Sequence, residues 1–260
     1  MENLPDYLGG AILAGIFLYY WGRWAHDKFT GLATRWNEMN WVDNRLPLAQ
    51  MLAGFPSLDA NRLFFEPDKE FYRHVSNGLE GIPSCISRIC NHIRYSGPPL
   101  TVSLVQEEMD SPATIVGTEI RIRWCQEYNI YAIGAILAHE VTHAFLRFTR
   151  SWPQNAADSE QLTDLVAISL GLGKLILNGL ESTSFSFNAP GVFGGTTYYG
   201  AQNSHLGYLS YNAMLYAYRR DCDLKHATRK SALRNLRYRL GWSFQIQGLY
   251  SAVRTMLGRT

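Results

Sequence analysis

This sequence has little net charge, few charged residues and no internal repeat. Charged residues make up 18% of its 260 positions, and 24 Lys and Arg against 22 Asp and Glu leave a formal net charge of +2. Such a chain has no overall field with which to gather a polyanion, which argues against general nucleic-acid binding. The hydrophobic content of 47% excludes a mainly disordered chain, since it supplies a core for one large domain or two small ones.

Cysteine is also scarce. Cys85, Cys90, Cys125 and Cys222 are too few for a disulfide scaffold, and no pair has the CxxC spacing of a zinc knuckle or a redox centre. A reducing compartment fits this usage best. Cys85, Cys90 and His92 lie close together, but their spacing is wrong for zinc, and we expect them in the core.

The N-terminus carries an apolar segment without charge, from Tyr7 to Gly22, which ends in aromatic residues. It reaches the roughly 20 residues that span a bilayer only if residues 23–25 are included and Arg23 snorkels. The alternative is a buried helix that packs on the domain or on a partner. Residues 1–25 are therefore predicted to be a membrane anchor or an apolar N-terminal helix.

The charges around this segment bear on its orientation. Glu2 and Asp6 precede it, whereas Arg23, Lys28 and Arg35 follow it. A cleaved signal peptide begins with positive charge, so that interpretation is disfavoured. Because positive residues stay on the cytosolic side, the pattern predicts a membrane-associated protein whose main domain faces the cytoplasm, with a soluble cytoplasmic protein as the alternative.

The sequence organisation predicts a connector followed by one larger domain. Residues 26–80 mix Trp, Asn, Pro and charges without a sustained period, which indicates a connector with short helices, and residues 81–260 form the domain. Isoleucines at helical spacing predict a helix over 83–95, which Ser-Gly-Pro-Pro at 96–99 stops.

Two strands and a long helix are predicted next, which makes the fold class α+β. Alternation predicts strands over 100–105 and 118–124. The second has Ile on one face and Arg on the other, a one-sided pattern that suits a sheet edge, where an extended peptide can pair. A strongly apolar helix follows over 129–147, with Asn129 as its N-cap.

The rest of the domain is predicted to be mainly helical. A capping box at 158–161 begins a helix that runs to Asn178 and ends at Gly179. The stretch 182–200 is predicted to be a long, lid-like loop, because it is rich in Ser, Thr, Phe and Gly. Two or three further C-terminal helices are expected from His205 onwards.

Three polar residues interrupt the apolar helix at 129–147. His139 and His143 are one helical turn apart, so both imidazoles point the same way and can hold one zinc ion. Glu140, beside the first histidine, can then reach a water molecule on the metal. The alternative is a set of satisfied core residues, but burying three such groups without a metal or partners costs several kcal/mol.

The following helix offers two acids on one face. Glu160 can supply the third ligand that a catalytic zinc site needs, which leaves the fourth position open. Asp164, four residues later, can accept a hydrogen bond from the other nitrogen of a ligand histidine and fix its tautomer. The alternative is that acids at a helix N-terminus merely complement its dipole.

The pattern His-Glu-x-x-His followed by Glu-x-x-x-Asp resembles the gluzincin clan of zinc metallopeptidases. The order of helix, strand, edge strand, HExxH helix and glutamate helix is also similar to its compact members, the minigluzincins, and the match covers roughly 83–178. The resemblance implies a zincin-like fold, with a small sheet whose edge strand packs on the HExxH helix. It further implies that His139, His143 and Glu160 bind zinc. Glu140 would be the general base, and Asp164 would orient a ligand histidine.

Other peptidase patterns are missing. Thr149 stands where the third histidine of metzincins would fall, and the Gly-x-Met-Glu-Asn signature of gluzincin aminopeptidases is absent, which favours an endopeptidase. A membrane segment ahead of such a domain resembles the arrangement in the membrane-bound prenyl-protein and heat-shock peptidases. Those proteins have several membrane spans, whereas this sequence offers one at most.

Peptide hydrolysis also needs a hydrogen-bond donor for the oxyanion, generally a Tyr or His. The candidates after the lid-like stretch are Tyr198, Tyr199, His205 and Tyr208. We expect His205 to act, with Tyr208 as the second choice. Aromatic residues in this region can also simply pack.

A basic stretch at 219–239 carries eight Lys and Arg against Asp221 and Asp223. It suits a solvated helix face, a surface that rests on anionic lipid headgroups, or a nucleic-acid contact.

Taken together, the residues predict a zinc-dependent endopeptidase that acts on a protein or peptide, with Glu140 as general base. One alternative is a non-catalytic membrane-associated adaptor with a structural zinc site, which predicts a fourth protein ligand or no cleft between 118–124 and 129–147. A nucleic-acid-linked protease that uses the basic stretch is a third option.

Overall fold

The computed structural model describes residues 37–54, 63–106, 109, 111–123, 129–149, 159–182, 184–189, 196–201 and 208–236. The chain divides into two compact units, Met1–Trp41 and Val42–Thr260. Within the first unit, residues 37–41 are described and are helical. The predicted membrane anchor at 1–25 lies outside the described residues.

The second unit is α+β and mostly helical, with a small three-stranded sheet. A short 3₁₀ turn, Gly78–Glu80, lies between α2 and α3, and a π-helical turn, Ile168–Leu172, joins α5 to α6. The helices are α1 (42–52), α2 (Lys69–Ser76), α3 (Ile82–Ile93), α4 (Ile130–Phe148), α5 (Ser159–Ala167), α6 (Gly173–Ser182), α7 (Tyr211–Leu224) and α8 (Arg229–Leu233). The strands are β1 (Thr101–Val105), β2 (Ala113–Val116), β3 (Glu119–Arg123), β4 (Ser184–Ala189) and β5 (Thr196–Ala201).

The sheet has the order β1-β3-β2, with β1 parallel and β2 antiparallel to β3. Ile120 and Ile122 are fully buried, as their alternation predicted. The prediction that 118–124 forms the sheet edge is wrong, because β3 pairs on both sides and β2 lies at the edge. A single strand's pattern reports which face is buried, not how many neighbours the strand has.

Part of the predicted connector packs as core in this unit. Leu46 of α1 and Phe71 of α2 are buried, and Asp68 caps α2 by accepting a hydrogen bond from Phe71 N at 2.8 Å. Cys85 of α3 is buried, as expected, and its thiol lies 3.5 Å from Phe71 O. Cys90 and His92, which were also expected in the core, are only half-buried. Burial raises the pKa of the Cys85 thiol to about 11, so it stays protonated and apolar in character.

Helix α4 runs through the core. Asn129 caps it as predicted, because its side-chain oxygen accepts hydrogen bonds from Tyr131 N and Ala132 N at 3.0 and 3.1 Å. α6 approaches α4 closely at Gly179, where an added Cβ would lie 2.3 Å from the Cβ of Ala135. The predicted helix end at Gly179 is wrong, since α6 continues to Ser182 and this glycine permits close packing rather than a turn.

The π-helical turn between α5 and α6 has two anchors. Gly171 adopts a φ of 87°, and its carbonyl accepts a hydrogen bond from Phe65 N at 2.9 Å. Lys225 Nζ donates to Ser169 O at 2.7 Å. The carbonyls of Gly171 and Ser169 therefore accept hydrogen bonds from outside their own helix, where the regular helical pattern is interrupted.

The segment Ser159–Leu180, which contains α5, the kink at Gly171 and most of α6, is long and apolar enough to cross a membrane, and its most apolar part has a mean hydropathy of 1.3. That part is entirely buried inside the protein. Full burial of this kind is typical of helices in a protein core.

One lysine of the predicted basic stretch is buried rather than exposed. Lys225 pairs with Asp221 at 2.7 Å, and both side chains are fully buried. A second buried lysine, Lys174, pairs with Glu66 at 2.6 Å. Both ammonium groups face the ring of Phe64, at 5.8 and 5.2 Å. The Lys174–Glu66 pair connects α6 to the segment before α2, and the end of α7 contacts that segment through Lys225 and Phe64.

The predicted lid-like loop at 182–200 is also wrong. β4 and β5 form an antiparallel pair that joins Ser184 to Ala201 and Ala189 to Thr196. The sequence alternates Ser and Phe at 184–187 and has Thr and Tyr at 196–199, types enriched in strands. That period of two was the missed signal.

Candidate metal centre

The HExxH residues lie within the buried part of α4. His139, Glu140 and His143 are 7%, 6% and 5% exposed. Their helical spacing brings Nε2 of His139 to 2.9 Å from Nε2 of His143. Two imidazoles thus face the same point from adjacent turns of one helix.

Helix α5 adds a carboxylate to this pair. Glu160 Oε2 lies 2.9 Å from His143 Nε2 and 3.1 Å from His139 Nε2. The three atoms form the cluster of His, His and Glu that could hold a metal ion. The structure therefore brings together the three residues that the sequence predicts as ligands.

The chemistry of these donor atoms fits a cation. His139 Nδ1 lies 2.8 Å from Asp164 Oδ1, and because a carboxylate only accepts hydrogen bonds, Nδ1 is the donor. In a neutral imidazole, Nε2 of His139 then carries a lone pair that points towards Glu160. Lone pairs at such short separations require a shared proton or a metal ion between them.

The charges at this site shift two pKa values in opposite directions. Burial alone would lower the pKa of His139, but hydrogen bonds with Asp164 and Glu160 prevail and raise it to about 10. Burial would raise the pKa of Glu160, but hydrogen bonds to His139 and His143 lower it strongly. Without a metal ion, the site thus holds a proton that a cation would have to displace.

Tyr208 lies against the same cluster. Its backbone N–H donates to Asp164 Oδ2 at 2.9 Å, and its ring stacks on the imidazole of His139 with centroids 5.7 Å apart. Burial, and then the charges of Glu160, Glu140 and Asp164, raise the pKa of the Tyr208 phenol, which keeps it a donor at neutral pH.

The first choice for the oxyanion donor, His205, lies outside the described residues, and so do the side chains of Tyr198 and Tyr199. Their predicted roles stay predictions. Tyr208, the second choice, is the candidate that the described structure places beside the ligands.

Glu140 faces a small cleft beside the cluster. The cleft has a volume of about 20 Å³, and it is lined by Glu140 and His139 from α4, by Ala113 from β2 and by Tyr208. Burial raises the pKa of Glu140, while the charges of His139 and His143 act in the other direction. A carboxylate with a raised pKa is a better proton acceptor at neutral pH.

The edge strand β2 forms one wall of this cleft. Arg123 N donates to Pro112 O at 2.9 Å, and the register then points the backbone groups of Ala113 and Ile115 away from β3. The carbonyl of Ile115 accepts a hydrogen bond from Arg147 Nη1 at 2.9 Å. Sequence reasoning missed Arg147, although it lies four residues after His143.

A larger cavity of about 480 Å³ lies elsewhere, lined by α2, the start of α4 and Asn178. None of the residues predicted for catalysis or metal binding lines it. Size alone therefore does not identify the candidate site, since the groups with shifted pKa values, His139, Glu140 and Tyr208, line the smaller cleft.

Comparison of this chain with protein-family models, curated proteins and solved structures gives no match. Within the part of the chain that the structure describes, the metal-binding cluster has three members. The fourth protein ligand that the adaptor hypothesis predicts is not among these described residues.

Proposed function

We propose that this protein is a zinc-dependent endopeptidase of the gluzincin type with a zincin-like fold. One observation carries the proposal: His139, His143 and Glu160 converge with short separations while Glu140 lies buried beside them. A helix, a small sheet, the HExxH helix and the glutamate helix follow one another from α3 to α5, which supports the proposal, although the sheet has an additional strand, β2, and β2 rather than β3 lies at its edge. Two nitrogens and one carboxylate oxygen are a ligand set typical of catalytic zinc.

Zinc in such a site supplies Lewis acidity, which polarises a peptide carbonyl and lowers the pKa of water to about 7. The protein supplies the proton transfers. Glu140 accepts a proton from the attacking water and returns it to the nitrogen of the leaving amine. Its burial and raised pKa suit both steps, because the same carboxyl group has to take up and release a proton near neutral pH.

Asp164 positions a ligand rather than reacting. It holds His139 in the tautomer that presents Nε2 to the centre. Through its second oxygen it also fixes the backbone of Tyr208. We assign the protonated phenol of Tyr208, whose ring stacks on His139, as the donor of a hydrogen bond to the oxyanion that develops during attack.

The outer edge of β2, which has no strand partner among the described residues, offers a path for an extended peptide. The outward backbone groups of Ala113 and the outward N–H of Ile115 can pair with a substrate strand, whereas the carbonyl of Ile115 is already bonded to Arg147. The path passes the cleft that Glu140 and His139 line. An extended chain that passes through the cleft, with residues on both sides of the cut bond, is an endopeptidase substrate.

We further propose that residues 7–22 attach the protein to a membrane with the catalytic domain in the cytoplasm. The segment's lack of charge and the positive residues that follow it support this assignment. Carbonate extraction of membranes from cells that express the full chain tests it. Recovery of the protein in the soluble fraction would contradict it.

The function is tested with zinc-loaded full-length protein and a mixed peptide library analysed by mass spectrometry. We expect the native protein to cleave internal bonds, and Glu140→Gln to bind zinc equally but lose several orders of magnitude in rate. Glu70→Gln is the matched control, because Glu70 is exposed on α2 and forms only surface ion pairs. Full cleavage by Glu140→Gln would refute the proposal.

Metal content separates the ligand set from the chemistry. Glu160→Ala, measured by inductively coupled plasma mass spectrometry beside the native protein, is expected to retain much less zinc. Equal zinc in both proteins would remove Glu160 as the third ligand.

A further inference from the structure

Arg147 extends the line of metal-binding residues along α4. His139, His143 and Arg147 follow one another at intervals of four, so all three lie on one helix face. The Cα atom of Arg147 is about 6 Å beyond that of His143 along the axis. Unlike the two histidines, Arg147 is exposed.

The guanidinium of Arg147 bridges the gap between α4 and the sheet edge. Its Nη1 donates to the outward carbonyl of Ile115 at 2.9 Å. Helical side chains lean towards the helix N-terminus, which brings this charge back towards His143. A cation therefore lies between α4 and the edge of β2, next to the residues that line the cleft.

The edge of β2 connects Arg147 to the reactive part of the cleft. Ala113 lines the cleft together with His139 and Glu140. Ile115 is two residues further along the same edge, about 7 Å away. A peptide that extends along β2 from Glu140 would reach Arg147 within two or three residues.

Strand pairing cannot continue unchanged at that point. The outward carbonyl of Ile115 already accepts a hydrogen bond from Arg147, so a peptide N–H would have to share or displace it. A carboxylate avoids this competition, because it accepts hydrogen bonds from the guanidinium itself. The planar fork of arginine matches a carboxylate in a bidentate geometry, and its charge is permanent.

We propose that Arg147 recognises a carboxylate of the peptide and so determines specificity. This inference rests on the peptidase function proposed above. The carboxylate comes from an Asp or Glu side chain or from the C-terminus of the peptide, and both offer the same chemistry to the guanidinium.

The test measures peptide binding to zinc-loaded Glu140→Gln protein by calorimetry, so that no cleavage occurs. The probes are an uncharged, capped decapeptide of Ala, Phe, Ser and Gln, versions with one Glu at successive positions, and a version with a free C-terminal carboxylate. We expect one position, or the free C-terminus, to tighten binding by about 10- to 100-fold, the range for a charged hydrogen bond. Whichever of the two series shows the effect identifies the source of the carboxylate.

The same peptides are then measured with Arg147 replaced. Arg147→Gln, which can still donate to Ile115, is expected to abolish the preference for the carboxylate, and Arg147→Glu to shift it towards peptides with Lys. Arg73→Gln is the matched control, since Arg73 is an exposed arginine on α2, and it should keep the preference. Zinc content verifies each fold, and Arg147→Lys replaces any variant that binds less zinc.

The outcomes distinguish this inference from the proposed function. The assignment of Arg147 is overturned if the Glu140→Gln protein prefers a carboxylate equally with and without Arg147→Gln. It is also overturned if a carboxylate at no position tightens peptide binding. The two proposals can also fail separately. If the preference for a carboxylate depends on Arg147 but the native protein cleaves none of the peptides, the carboxylate site is supported and the peptidase function is refuted.

Discussion

The carboxylate of Asp164 lies 2.8 Å from Nδ1 of His139, and both side chains are buried. Its other oxygen accepts the backbone N–H of Tyr208 at 2.9 Å. One acid therefore fixes the tautomer of a metal ligand and the start of the segment that carries the candidate oxyanion donor. If the proposed function is correct, both metal affinity and catalysis should depend on Asp164.

Replacing Asp164 with Asn is expected to weaken zinc binding by about 10- to 100-fold, since partners of ligand histidines contribute this much. The amide lacks the charge that holds the proton on Nδ1 of His139. Competition with a fluorescent chelator measures the affinity. Asp223→Asn is the control, because Asp223 is exposed on α7, and equal affinity in the two variants would contradict the role of Asp164.

Zinc binding is expected to release about one proton near pH 7.5. The metal-free protein holds His139 protonated, because its pKa is raised from 6.5 to about 10. By linkage, this proton stabilises the metal-free fold fully below pH 6.5, and its contribution disappears as the pH rises through about 10. Zinc affinity should therefore increase with pH over that interval.

Calorimetry of zinc binding in buffers with different ionisation enthalpies counts the released protons. The observed enthalpy should depend linearly on the buffer enthalpy, with a slope close to one. A slope of zero at pH 7.5 would mean that His139 is already neutral in the metal-free protein.

The site was largely predictable because its residues are close in sequence. A helical period places His139 and His143 on one face, and the same period relates Glu160 to Asp164. The packing of α5 on α4, which brings Glu160 to the two histidines, could not be derived from these local periods. Asn129 as N-cap and the core position of Cys85 likewise follow from local preference and apolar character.

The predicted lid-like loop at 182–200 was wrong because a local alternation was missed, whereas the other incorrect predictions concern contacts between distant segments. That β3 lies in the middle of the sheet depends on its pairing with both β1 and β2, which no single strand encodes. Gly179 suggested a helix end, but the close approach of Ala135 explains it. Arg147 escaped notice because its significance depends on the position of Ile115, 32 residues away in the sequence.

The π-helical turn at Gly171 is expected to be intolerant of a side chain. An added Cβ would lie 2.6 Å from Leu63 O and 2.8 Å from His92 Nε2, in a backbone with φ of 87°. Gly171→Ala should lower the free energy of unfolding by about 2–4 kcal/mol, which combines backbone strain with the steric conflict. Urea denaturation measures the loss.

Gly78→Ala is the matched control for this effect. Gly78 has a φ of 61°, but an added Cβ would meet nothing within 4 Å. It should therefore cost only the backbone strain, about 1 kcal/mol. Equal losses in the two variants would show that the contacts of Gly171 with Leu63 and His92 contribute nothing.

Removal of the phenolic oxygen of Tyr208 separates its two contributions to the site. In Tyr208→Phe the ring can still stack on His139 and the backbone N–H can still bind Asp164, so zinc content should not change. The donor to the oxyanion is lost, and kcat should fall about 100- to 1,000-fold while KM changes little, because that contact exists only in the transition state. Tyr95→Phe, in a tyrosine that packs on Phe148, is the control in the same peptide-cleavage assay.

Unchanged kcat in Tyr208→Phe would exclude Tyr208 as the donor and return the role to a residue such as His205. A fall in zinc content would instead mean that the hydroxyl supports the metal site, since loss of a transition-state contact leaves the ligands intact.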